Sequence, residues 1–129
     1  MINFLKKIKP EWPLRLGFGA MYCYSGIDLI RKPSDWYGFA PRGFVHVITQ
    51  FTTMDTFLRL QGASELLIGL VLLAWFLPRI TFKVAALFGS LEIFLILIFA
   101  GIDTITFRDM GLFGGFLSLA ILALGSPEI

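Results

Sequence analysis

Thr56-Phe-Leu-Arg59-Leu-Gln61-Gly62-Ala-Ser-Glu65-Leu-Leu-Ile-Gly69-Leu-Val-Leu-Leu-Ala-Trp-Phe-Leu77 is an apolar run long enough to cross a bilayer, with a carboxylate, Glu65, near its middle. About 20 residues of helix span a hydrocarbon core of about 30 Å. A charged side chain at that depth costs about 2.5 to 3.5 kcal/mol on insertion scales. A chain that keeps one must shield it, neutralise it or use it.

The rest of the chain agrees with a membrane setting. Hydrophobic residues make up 57% of the 129 residues and charged residues 16%, against about a quarter charged in an ordinary soluble domain. The net charge of +2 and the absence of a basic, aromatic-interleaved patch argue against a nucleic-acid partner. There is one cysteine, Cys23, and one histidine, His46. That excludes an intramolecular disulfide, a Cys-x-x-Cys redox pair, a closed zinc site and a haem held by two histidines of this chain. Any redox group would be diffusible or held by a partner, so no metal or cofactor is expected to be bound by this chain itself.

Working outward, four spans are expected at about 14–30, 56–77, 80–101 and 106–124, in a single domain. Backbone groups in lipid must be satisfied internally, so the spans are helices. The fold class expected is therefore an all-α membrane protein, a four-helix bundle. Lys6, Lys7 and Lys9 precede the first apolar stretch, but no small-residue cleavage site follows it, and it reads as a retained span. Pro78 and Arg79 read as a tight turn between the second and third spans. Between the first two spans, Trp36, Tyr37 and Phe39 suit a membrane–water interface. Phe44, Val47, Ile48 and Phe51 then recur at i, i+3, i+4 and i+7, the mark of a short amphipathic helix on the membrane surface. His46 falls off that face and reads as solvated.

Glu65 lies 13 positions before Pro78 and Glu92 lies 14 after it. Two carboxylates thus stand at matching depth on neighbouring antiparallel helices, with no Lys or Arg at that level. Desolvation and a neighbouring carboxylate both penalise the charged form, so at least one should be protonated at neutral pH. Gln61 and Tyr22 are the remaining members of this candidate polar centre; Ser25, Ser64, Ser90 and Ser118 offer hydroxyls near the same level. Gly62 and Gly69 share the Glu65 face and allow close helix approach. At the presumed outer end, Asp28, Arg59, Asp103, Arg108 and Asp109 form a candidate charge network.

These pieces resemble the DoxX-like family of small four-helix membrane proteins. Arg15-x-Gly17 with Gly26 is similar to that family's opening pattern, and Gly62-Ala-Ser-Glu65-Leu-Leu-Ile-Gly69 looks like its Gly-x-x-Glu-x-x-x-Gly core. The chain departs at Gly26-Ile-Asp28, where members often carry a lysine. The resemblance implies an accessory or quinone-contacting subunit of a membrane redox system, with a membrane redox protein as partner and a quinone as the diffusible group. Two alternatives stand beside it: a small proton-coupled transporter, and a structural membrane partner without catalytic activity. A homo-oligomer is open under all three. Lys6, Lys7, Lys9, Arg15, Arg79 and Lys83 against Arg31, Lys32, Arg42, Arg59 and Arg108 slightly favour both termini on the cytoplasmic side of a plasma membrane.

Overall fold

The structure is a computed structural model that describes residues 1–100 and 108–125. Asp103, the end of the third expected span and the first residues of the fourth lie outside the described residues. Among the described residues all regular structure is helical. The elements are α1 (Ile2–Leu5), α2 (Glu11–Arg31), a 3-10 helix (Pro33–Phe39), α3 (Arg42–Thr49), α4 (Met54–Leu73), α5 (Arg79–Ala100) and α6 (Asp109–Leu124).

The punctuation follows local chemistry. Pro13 sits in the first turn of α2, where its missing N–H would have no intrahelical acceptor. Lys32 precedes a proline, which disfavours helical backbone; it leaves the helix at φ −136°, and Pro33 opens the 3-10 turn. The Thr53 hydroxyl accepts from the Thr56 N–H at 3.2 Å and caps α4. The amphipathic helix expected after Pro41 is α3. Its Phe44 meets Phe57 and Phe99 edge-on or tilted, at 5.4 and 6.1 Å.

The second expected span is four residues too long. α4 ends at Leu73, and Ala74 is extended at φ −83°, ψ 100°. Pro78 has no N–H for the Ala74 carbonyl, and the Arg15 guanidinium takes that carbonyl at 3.2 Å and the Leu72 carbonyl at 2.7 Å, satisfying the end of the helix. The link to α5 is therefore Ala74–Pro78, not a two-residue turn. It carries Trp75 and Phe76, 75% and 73% exposed.

α2 packs most extensively on α4, antiparallel, through glycines seven apart on each helix. A Cβ on Gly26 would come within 2.6 Å of the Gly62 carbonyl oxygen, and one on Gly69 within 2.8 Å of the Cys23 nitrogen. α6 packs on α5 and closes the bundle. Its Phe116, fully buried, stacks on Phe18 at 4.0 Å and leans on Tyr22 at 5.1 Å. It lies over Gly89, where a Cβ would come within 2.4 Å of the ring. Phe82, Ile68, Leu72, Ala86 and Leu119 complete a core shared by the four long helices.

Two helices, α4 and α5, are long and apolar enough to cross a membrane, and α6 is shorter but apolar. α2 has the length, with 21 residues, but carries Glu11, Arg15, Asp28 and Arg31.

Candidate functional site: a buried polar centre between the helices

Gln61 and Glu65 are four residues apart and so share one face of α4. That face is pulled against α2 by Gly62 and Gly69, so Glu65 is only 5% exposed. Ser25 stands next to Gly26 in α2 and therefore at the same crossing. Its hydroxyl donates to Glu65 Oε2. The Gln61 side-chain amide donates to Glu65 Oε1 at 3.2 Å. Both carboxyl oxygens of Glu65 are thus held, one across the helix interface and one from its own helix.

Glu92 of α5 faces Glu65. Its Oε1 is buried with no hydrogen-bond partner. Neither carboxyl has a cation partner among the described residues, where the ion pairs are Glu11–Arg15 and Glu11–Arg79. Tyr22 lies within electrostatic reach of Glu92, Glu65 and Asp109. Its hydroxyl is 3.4 Å from the Gly89 carbonyl oxygen, a long bond that leaves it loosely held.

The structure thus places Glu65, Glu92, Gln61 and Tyr22 together, and adds Ser25. Ser90 and Ser118 do not join them: each donates to the carbonyl four residues earlier on its own helix, Ala86 at 2.9 Å and Gly114 at 2.8 Å. Ser64 is exposed, as is His46.

Asp28 accepts from the Trp36 indole N–H at 2.9 Å, because the 3-10 helix folds back over the end of α2. No ion pair joins Asp28 to Arg59, which is exposed, as is Arg108. Asp109, half-buried at the start of α6, lies within electrostatic reach of Tyr22. Asp103 lies outside the described residues. A cavity of about 610 Å³ opens beside α3, lined by Tyr37, Arg42, His46 and Met54 among others, away from Glu65.

At the opposite end lies a cluster that sequence reasoning missed. Glu11 accepts from Arg15 at 3.0 Å and takes both terminal nitrogens of Arg79, one of them at 3.1 Å. Phe82 lies under both guanidinium groups, at 4.4 and 4.6 Å from the ring centroid. Burial works against ionisation of Glu11, but the hydrogen bonds and charges of Arg79 and Arg15 outweigh it and hold its carboxyl below the ordinary value. The i,i+4 spacing of Glu11 and Arg15 was a visible signal; Arg79 becomes their neighbour only when the bundle closes.

No protein-family model, no curated protein and no solved structure matches the chain.

Proposed function

We propose that the chain is a multi-pass integral protein of the plasma membrane, in which α2, α4, α5 and α6 cross the bilayer as a four-helix bundle. Several observations support this reading. At 1.5 Å per residue α2, α4 and α5 measure about 30 to 33 Å, close to a hydrocarbon core. Their outward faces are apolar: Leu87, Phe88, Leu91 and Phe94 on α5, Leu67 and Leu70 on α4, and Ile121 on α6 are all exposed. Aromatic side chains stand at both ends, Trp12, Trp75 and Phe76 at one and Trp36, Tyr37 and Phe39 at the other, as at membrane interfaces. The resemblance to DoxX-like proteins gives the bundle a role: an accessory subunit of a membrane redox system that contacts a quinone.

One observation carries the functional half of the proposal, the buried Glu92 oxygen without a partner. Such an oxygen is costly unless a donor reaches it. A quinol hydroxyl is a donor of the right kind, and the loosely held Tyr22 hydroxyl can turn from Gly89 to a quinone carbonyl. A bound quinone supplies two-electron, two-proton chemistry. The chain's own residues hold and orient it: Glu92 accepts from the head group, Ser25 and Gln61 fix Glu65 beside Glu92, and the two carboxyls take up or release protons.

The test is the quinone content of protein purified in mild detergent from its native membrane. Wild type should retain quinone, and Glu92→Leu should retain about tenfold less, the loss of one buried hydrogen bond. No quinone above an unrelated membrane protein, or equal content in Glu92→Leu, would sink the reading.

A structural role is favoured by a different observation: the Ser25–Glu65 bond ties α2 to α4, as interhelical polar bonds do. On that reading Glu65→Gln with Glu92→Gln leaves the function of any partner unchanged.

A further inference from the structure

We propose that the end of the bundle carrying the N-terminal segment is a docking surface for anionic phospholipid head groups, chosen by net charge. The inference rests on the membrane reading above. α1 and the turns that follow it bury no side chain. Ile2, Phe4 and Leu5 of α1 and Ile8 in the turns after it are all exposed, interleaved with the exposed Lys6, Lys7 and Lys9. An exposed segment that mixes apolar and cationic side chains suits the head-group layer, with its apolar groups toward the acyl chains.

Charge at this end is unbalanced. Among the described residues six cations, Lys6, Lys7, Lys9, Arg15, Arg79 and Lys83, stand against one carboxylate, Glu11. Glu11 is shared between two guanidinium groups, so it neutralises one of them. Lys6, Lys7 and Lys9 are exposed and form no ion pair among the described residues. Arg79 spends its two terminal nitrogens on Glu11 and keeps further N–H donors for a phosphate oxygen. Trp12 at the start of α2 and Trp75 beside the Arg15-bound carbonyls mark the same level as interfacial. The opposite end is nearly balanced among the described residues: Arg31, Lys32, Arg42, Arg59 and Arg108 stand with Asp28, Asp35, Asp55 and Asp109.

The experiment uses the full chain with Trp36→Phe, so that fluorescence reports Trp12 and Trp75. The protein is reconstituted in phosphatidylcholine vesicles into which acyl-brominated phosphatidylglycerol or acyl-brominated phosphatidylcholine is titrated. Bromine quenches an indole it touches, so the two curves give the relative affinity of the two lipids for this end. Each basic residue near a membrane surface contributes about 1 kcal/mol, or about fivefold in affinity. A preference for phosphatidylglycerol of about fivefold or more is expected, falling toward one in Lys6→Gln/Lys7→Gln/Lys9→Gln, whose exposed positions keep folding intact. Equal quenching by the two lipids, or a preference that the triple variant keeps in full, overturns the inference and leaves the membrane reading standing. No quenching by either lipid means that these tryptophans are not in a bilayer, and both readings fall.

Discussion

Glu65 and Glu92 differ in how they are held, and the difference sets their sensitivity to substitution. Glu65 has a donor on each oxygen, so Glu65→Leu takes the acceptor from the Gln61 amide and leaves the Ser25 hydroxyl only the Tyr22 carbonyl at 3.4 Å. It should destabilise the bundle by about 1 to 2 kcal/mol. Glu92 has one buried oxygen that nothing satisfies and a side-chain hydrogen bond with Glu65, so Glu92→Leu removes a desolvated group at the loss of that one bond. It should cost less than Glu65→Leu. Unfolding titrations of the two variants in detergent check the order; a larger loss for Glu92→Leu would contradict it. Glu11 makes the complementary case. Its folded carboxyl is held below the ordinary value of 4.5, so it binds fewer protons folded than unfolded. Its contribution to stability is complete above that ordinary value and is lost as the pH falls through the folded one. The gap in melting temperature between wild type and Glu11→Gln should therefore close as the pH is lowered from about 6 to about 3. A gap that stays constant would mean that the Glu11–Arg79 contact contributes nothing through charge.

Among the elements, the α2–α4 pair depends on backbone contact that leaves no room for a side chain. Gly62→Ala puts a Cβ 2.7 Å from the Gly26 carbonyl oxygen, and the helices must part. A loss of about 1 to 3 kcal/mol is expected, the usual cost of overpacking. Gly17→Ala meets nothing within 4 Å and should be neutral or slightly stabilising, since alanine favours helix by up to about 1 kcal/mol. Thermal unfolding of the two variants side by side separates them; equal effects would mean that the pair is not close-packed at Gly62. The glycines were legible in the sequence on the Glu65 face, but their partner was not, because seven-residue spacing on one helix names no second helix. The stop of α4 was legible only in part. Pro78 limits the helix locally, but the guanidinium that takes its last carbonyls comes from 57 residues before Leu72, which no local pattern names. α3, by contrast, was readable from its own spacing, because an apolar face needs no knowledge of what covers it.

At the scale of the molecule, composition and run length told of helices and of two apolar enough to cross a bilayer. They read the first stretch as a retained span, and the structure adds that its Arg15 is taken by α4 carbonyls and Glu11. The polar centre was half-readable: depth counted from Pro78 put Glu65 and Glu92 level, while Ser25 reached Glu65 only through the glycine crossing. Of the outer charge network, Asp28 is taken by an indole rather than a guanidinium, and Asp103 lies outside the described residues. The four-span bundle turns on α2. If α2 crosses, Lys7 and Ser34 face opposite sides of the membrane; if only α4 and α5 cross, α2 leaves both on one side. Single cysteines at Lys7 and at Ser34, each in a Cys23→Ser background, should decide it with an impermeant thiol reagent on intact cells. Ser34→Cys should label from outside and Lys7→Cys only after permeabilisation. Labelling of both from the same side would contradict the four-span bundle, and with it the mid-membrane placement of Glu65 and Glu92.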